Sequence, residues 1–597
     1  MATTYDNASL VMIPSGVKES KLYSIKPTDG SGDFTFSRGT DTATRVNASG
    51  LIEKERSNQL LQSNTFSTTW SLVTASVTGG QSGYDGSSDA WLLDKSGAFG
   101  RVEQALSYTG LLTFSAYLKS GTSNYGELTH SSSGAYAGFS LDDGTIVGSF
   151  GLIDSSITSV GNGWYRCSIT FNSSGVPYWR IIAGDVGSDT SSGTSGNILI
   201  QDAQLNHGLV AQDYIETTTA AVYEGITDNL PRLDYSGGAS CPSLLLEPSR
   251  TNIFTQSEWS GGWAIENATG DYNNAISPEG VQNAVLLTAN GGSQDHTTYV
   301  ETTSLSPNTY TFTAFVKKGT QRYVHLTLNE RFVDSSWITA TFDLDELTSA
   351  DHSSGTGYVD GTSDITDYGN DWYRLEMTGA LVNTTTYLAF VGWANGLGAP
   401  NTSRGRYNVT TSGTFYAYGA QLEAGTYPTS YIPTYGTSAS RAQDVCLKTS
   451  ISDLIGQTEG TLFFDWIMNH ESPNTSEDLY TLSMSDGTGN KLITINNYNQ
   501  TLAVFIKDTT TQFFDNSYTS GADGARIKLA LAYANNDIAL YINGVQIATD
   551  SSATIPTLSQ VRLNTFWNGN LPDSSSVNQL LLFKTRLTNA ELAALTA

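Results

Sequence analysis

Arg56-Ser-Asn-Gln-Leu-Leu-Gln-Ser63 aligns without a gap on Arg250-Thr-Asn-Ile-Phe-Thr-Gln-Ser257, and this correspondence decides the architecture. Further blocks match in the same order. Leu112-Thr-Phe-Ser-Ala-Tyr-Leu-Lys-Ser-Gly-Thr122 answers Tyr310-Thr-Phe-Thr-Ala-Phe-Val-Lys-Lys-Gly-Thr320, and Gly161-Asn-Gly-Trp-Tyr-Arg166 answers Gly369-Asn-Asp-Trp-Tyr-Arg374. Ala203-Gln-Leu205 and Asp213-Tyr-Ile-Glu-Thr217 answer Ala420-Gln-Leu422 and Ser430-Tyr-Ile-Pro-Thr434. The offset grows from 194 residues at Arg56/Arg250 to 217 at Ala203/Ala420, so the second copy carries longer loops on one scaffold. A domain has been duplicated.

Each copy, 56–222 and 250–444, is a series of short runs rich in Val, Ile, Thr, Tyr, Phe and Trp between Gly, Ser, Thr and Asn. That pattern predicts an antiparallel sandwich of jelly-roll type. The Trp-Tyr-Arg motifs (Trp164, Tyr165, Arg166 and Trp372, Tyr373, Arg374) open a strand after a turn and read as core plugs, because an aromatic of that area dominates packing.

Outside the copies lie three stretches. Residues 1–55 hold brief apolar runs broken by Gly and Pro, too small for a private core, so they are expected to pack on a neighbour or another chain. Residues 223–249 read as an extended linker with edge-type prolines. Residues 445–597 read as a third sandwich with a hairpin turned at Asn543-Gly544, where both positions need positive φ, and a terminal helix capped by Thr588 with Glu591 in the capping box. The fold class expected is all-β throughout.

Composition narrows function. A net charge of −27, from 57 acidic and 30 basic residues, is unsuited to nucleic acid, which needs clustered Lys and Arg to displace counterions. No basic run suggests a membrane patch, and no apolar run is long enough to insert. Cys167, Cys241 and Cys446 are odd in number and widely spaced, which predicts free thiols rather than disulfides or a zinc site. The N-terminus has no basic, apolar leader pattern, so synthesis in the cytosol is expected.

The C-terminal segment, with "EGTLFFDWIM", "IALYINGVQIAT" and "NQLLLFKTRLTNAELAAL" in order, resembles concanavalin-A-like, laminin-G-like lectin domains. The second copy, with "LLLEPSRTNIF", "GNDWYR" and "YAYGAQLEAGTYPTSYIPTYGTSASRAQD", resembles carbohydrate-binding-like modules of bacteriophage structural proteins. "DFTFSRGTDTATRVNASGLIE" resembles the N-terminal segment of head-fibre and tail-fibre proteins of crAss-like and marine phages. These resemblances imply a non-enzymatic virion appendage protein, made in the host cytoplasm and displayed on the particle. They imply a homotrimer joined to other virion proteins through residues 1–55, with host-surface glycan as the outside partner. A capsule-polysaccharide depolymerase, a purely structural decoration protein and a secreted adhesin are the rival readings; no regular short repeat of a parallel β-helix supports the first.

No phosphate loop, His-Glu-x-x-His or Cys-x-x-Cys occurs, and the six histidines show no ligand spacing. Asp142, Asp143, Asp343, Asp345 and Glu346 follow Phe-x-Leu strands at matching positions, so they read as turn acids. A calcium site on Asp142, Asp143, Asp343 and Asp345 is the alternative there, since calcium favours loop oxygens; no other cofactor is expected. Sugar binding on a sandwich needs an aromatic face beside planar polar groups. The candidates are aromatics outside the shared skeleton: Trp259, Trp263, Trp337, Trp393, and above all Trp567 with Asn568 and Asn570.

Overall fold

A computed structural model of the protein describes residues 2–175, 178–184, 193–259, 262–469, 478–498, 501–519 and 524–597. Among them the regular structure is almost entirely β-strand, with one short α-helix near either end and a single 3-10 turn at Ser236–Gly238. No helix among the described residues is long and apolar enough to cross a membrane.

The two copies share one topology. In the first, one sheet runs Ala75–Gln81, Ala90–Lys95, Gly196–His207, Gly110–Ser120, Trp164–Ser173, Asp154–Gly161. In the second, the same order is kept by Ala268–Ala275, Ala284–Ala289, Thr414–Ala424, Asn308–Lys318, Trp372–Leu381, Tyr358–Asp367. A facing sheet of six described strands completes each sandwich. Even the irregularities coincide: the register of the central pairing shifts between Ser115 and Tyr117 in one copy and between Thr313 and Phe315 in the other. The extra residue opposite each shift is left-handed, Asp202 at φ 51° and Gly419 at φ 57°.

The motif quoted first has a physical purpose. The Asn58 side chain donates to the carbonyls of Ala203 and Ile215 and accepts from the amides of Leu60 and Leu205. Asn252 repeats all four bonds with Ala420, Ile432, Phe254 and Leu422. Ser63 and Ser257 bond the hydroxyls of Tyr214 and Tyr431 at 2.7 and 2.6 Å. Entry and exit of each sandwich are therefore clasped by a buried, fully used amide, which explains why those short motifs survive in both copies.

The Trp-Tyr-Arg motifs are structural, as expected. Trp164 and Trp372 are buried, and Trp372 Nε1 donates to the Ile276 carbonyl at 3.0 Å. The arginines reach the exit segments: Arg166 donates to the Gln212 carbonyl and Arg374 to the equivalent Thr429 carbonyl.

The third sandwich is assembled from three distant parts of the chain. Its nine-stranded sheet begins with Val17–Lys18, Lys21–Leu22 and Phe34–Ser37, continues through Val445–Lys448, Gln560–Leu563, Leu479–Ser485 and Lys491–Tyr498, and ends with Thr501–Asp508 and Thr510–Thr519. The opposite sheet takes Leu10–Met12, Arg232–Asp234 and Ser243–Leu246 alongside the C-terminal strands. Leu10, Met12, Phe34, Phe36, Leu244 and Leu246 lie in one core with Leu462, Phe464 and Leu580. Segments 1–55 and 223–249 thus supply strands and core to residues 445–597. The Asn543-Gly544 turn, with φ of 48° and 82°, and the Thr588–Glu591 capping box are both present.

A buried ion network ties segments 1–55 and 223–249 to the end of the second copy. Arg232 bonds Glu247 at 2.7 Å and also Asp444; Arg441 lies 2.9 Å from Glu247, and Arg38 lies 3.3 Å from Asp444.

Candidate functional site

Four of the five tryptophans expected to offer a sugar platform do not. Trp259 and Trp263 are buried and stacked on each other at 4.6 Å in the core of the second sandwich. Trp393 is fully buried, its indole N–H donating to the Gly413 carbonyl at 2.8 Å. Trp337 is covered by the loop at Gly405, where an added Cβ would come within 2.5 Å of the ring. A sugar has no access to these ring faces, so they are packing residues.

The acids at the matching turns divide likewise. The Arg322 guanidinium spans the Asp343 carboxylate with bonds of 2.8 and 2.7 Å and holds its pKa down at about 2. Lys318 bonds Asp345. Arginine and lysine therefore occupy the oxygens that calcium would need, which corrects the reading of these two. Asp142 and Asp143 are exposed, and Asp143 accepts from Thr145 Oγ1 at 2.8 Å. No group of three His, Cys, Asp or Glu among the described residues is placed to hold a metal.

Trp567 differs. In the nine-stranded sheet, Phe36, Cys446, Leu563, Leu482, Ile495 and Val504 pair in one row pointing into the core. Side chains alternate along a strand, so the adjoining row, Thr35, Leu447, Arg562, Ser483, Thr494, Phe505 and Phe514, lies on the outer face. The loop after Gln560–Leu563 folds back over this face. It is closed by the Phe566 amide on the Asn570 carbonyl at 3.0 Å and the Gly569 amide on the Phe566 carbonyl at 2.9 Å.

Neighbours lock the loop. Tyr480 stacks on Phe566 with centroids 4.2 Å apart, and Trp567 meets Phe566 edge-on at 6.1 Å. The Trp567 indole rests against Gly489, where a Cβ would come within 2.8 Å of Nε1. Lys507 Nζ donates to the Gly489 carbonyl at 2.9 Å and Gln443 Nε2 to the Gly569 carbonyl at 3.2 Å. Trp567 is left half-buried, with Asn568 and Asn570 exposed beside it. The Asn568 side-chain Oδ1 accepts from the Asn570 backbone amide at 3.1 Å.

Next to this loop sits a group that sequence reading missed. Arg562 is half-buried, 3.5 Å from the Cβ position of Gly569, and forms no ion pair among the described residues. Its Nε is buried without a hydrogen-bond partner, as is Oγ of Ser483 directly across the ladder. Burial lowers the guanidinium pKa. At the other side of Tyr480, burial raises the Asp478 carboxyl, which accepts a 2.8 Å bond from Asn496. The face thus combines a fixed aromatic group, exposed amides, an uncommitted guanidinium and a buried hydroxyl. Those are elements that can stack on a sugar ring and bond its polar substituents.

No protein-family model matches the chain, and no curated protein matches it. Among solved structures it is similar to the CBM40 module of the Ruminococcus gnavus IT-sialidase, at 20% identity and a TM-score of 0.22, covering 25% of this chain and 91% of that one. It is also similar to domains LG4-5 of the mouse laminin alpha1 chain, at 10% identity and a TM-score of 0.17, covering 56% and 94%. Trypanosoma rangeli sialidase in complex with sialic acid aligns at 12% identity and a TM-score of 0.21, covering 94% and 98%. At such scores no residue of this chain takes a role from these proteins.

Proposed function

We propose that this chain is a non-enzymatic structural protein of a bacteriophage particle, a head or tail fibre, which presents the outer face of its C-terminal sandwich to host-surface glycan. The observation that carries the binding half is the Trp567 loop, held rigid by Tyr480, Gly489 and Gln443 beside Arg562, which forms no ion pair among the described residues. A half-buried aromatic fixed next to uncommitted donors costs stability unless a ligand uses it. The virion half is supported by the resemblance of residues 33–53 and of the second copy to phage appendage segments. As a homotrimer, several weak sites on one particle would act together, so millimolar single-site affinity suffices for attachment.

The test is a glycan array probed with the intact oligomer, in parallel with Trp567→Ala. Binding that disappears in the variant supports the reading. Equal binding by both proteins, or none by the native chain beside a working lectin control, refutes it. Light scattering checks the trimer, and reducing ends released from host capsule would instead identify a depolymerase.

A further inference from the structure

We infer that the sugar received by the Trp567 face is acidic, its carboxylate taken by Arg562 with Ser483 behind it. This rests on the glycan-binding reading above and adds the ligand's chemical class. The chain holds 57 acidic and 30 basic residues, so a guanidinium has no shortage of partners. Arg38, Arg232, Arg322, Arg406, Arg526 and Arg586 all lie on carboxylates. Arg562, held in the strand Gln560–Leu563, lies on none among the described residues.

Position sharpens the point. Arg562 is flanked on the outer face by Leu447 and Ser483, and burial weakens its hold on the proton with no neighbouring acid to oppose that. A partly desolvated, unpaired charge is expensive to keep, and an incoming carboxylate removes the expense by accepting two parallel N–H bonds from the planar fork. The Ser483 hydroxyl, buried and without a hydrogen-bond partner among the described residues, is one ladder position away and lies behind the guanidinium. Lys507, anchored on the Gly489 carbonyl under the Trp567 ring, places a second cation at the other edge of the loop. The remainder of the strongly acidic surface repels polyanions only within a screening distance of about 10 Å at 0.1 M salt, so selection for an acidic sugar is made locally. A neutral sugar would stack on Trp567 equally well and leave Arg562 unpaired.

The experiment measures binding of the full chain to hexagalacturonate, to its methyl ester, to a sulfated dextran oligomer and to neutral dextran oligomers by titration calorimetry. The expected result is at least tenfold preference for hexagalacturonate over its methyl ester, weakening as salt is raised. In Arg562→Gln this preference falls to near one; in Arg562→Lys, which keeps charge without the fork, it is intermediate. Thermal melts that match the native chain show that both variants fold. Equal affinity for acid and ester, a preference undiminished in Arg562→Gln, or binding of the sulfated oligomer alone overturns the acidic-sugar assignment while glycan binding stands. Failure of every oligomer here and of every glycan on the array overturns both.

Discussion

The Lys54 ammonium lies 3.0 Å from Glu258 and 2.5 Å from Glu279, and all three side chains are buried. Lys54 lies two residues before the first copy begins at Arg56, whereas both carboxylates belong to the second; the Leu209 amide, near the first sandwich's exit, also donates to Glu258 at 3.3 Å. One cation between two acids therefore fastens the duplicated units. Burial alone would favour the neutral amine, but the two carboxylates outweigh it and hold the Lys54 pKa well above the ordinary value. Lys54→Met leaves two buried acids without their cation and should cost about 3–5 kcal/mol. Adding Glu258→Gln should recover part of that loss, as a denaturant-unfolding cycle will show.

The Glu247 carboxylate makes the C-terminal assembly sensitive to acid. Burial would raise its pKa, yet Arg441 and Arg232, with Ser430, hold it at about 2. The folded state thus keeps Glu247 charged where the unfolded chain has begun to protonate it. Stability from this group is complete above about pH 4.5 and is lost as pH falls from there toward 2. Glu247→Gln should flatten that part of the unfolding-versus-pH curve while lowering stability at pH 7. An unchanged acid limb would show that the network contributes nothing there.

His130 acts in the first sandwich in a higher window. It is packed against Phe171 and Trp179 at 4.6 and 4.7 Å, and burial, with Arg180 nearby, lowers its pKa to about 4. Between about pH 6.5 and 4 the unfolded chain binds a proton that the folded one refuses, so stability falls by ~1.4 kcal/mol per pH unit on acidification. His130→Phe should remove that share of the slope, measured as the pH dependence of the unfolding midpoint, and leave the share of His325 and His207, whose pKa values burial also lowers.

What the sequence disclosed was what local chemistry writes. The duplication, the Trp-Tyr-Arg plugs, the Asn543-Gly544 turn and the Thr588 cap are short-range signals, and the fold obeys each. Trp337 shows the opposite case. Its strand, Trp337–Asp343, is buried on both faces because the loop before Asn408–Thr410 closes over the outer one: the Gly405 carbonyl accepts from Thr327 and Thr339, and Tyr407 bonds Thr341. No local pattern reveals such a cover. Nor could alternation show that Arg562 has no ion-pair partner among the described residues, because that depends on which strands flank Gln560–Leu563.

Closure of the third sandwich depends on partners far away in sequence. Leu10 pairs with Leu582 and Leu244 with Val577. Residues 445–597 expressed alone would expose the core surfaces that Leu10, Met12, Phe34, Phe36, Leu244 and Leu246 cover. Each such side chain is worth about 1.5–3 kcal/mol of burial, against a domain stability of about 5–15 kcal/mol. The isolated segment should therefore aggregate or bind a hydrophobic dye without a cooperative melt, whereas supplying 1–55 and 223–249 in the same chain restores one. A sharp melt for 445–597 alone would contradict this.

Trp259 and Trp567 offer the most direct separation of packing from recognition. Trp259 is in the core, stacked on Trp263, so Trp259→Ala should cost about 3–5 kcal/mol through lost burial and a cavity. Its effect on glycan binding at permissive temperature should be nil, because the second sandwich's core does not reach the outer face of the nine-stranded sheet. Trp567 is half-buried on a loop that Tyr480, Gln443 and backbone bonds hold independently of its indole. Trp567→Ala should thus lower stability by about 1 kcal/mol or less while abolishing binding. Trp259→Ala should therefore move melting without binding, and Trp567→Ala binding with little change in melting. If Trp567→Ala instead destabilises as strongly as Trp259→Ala, the indole is a packing residue and the outer face loses its recognition group.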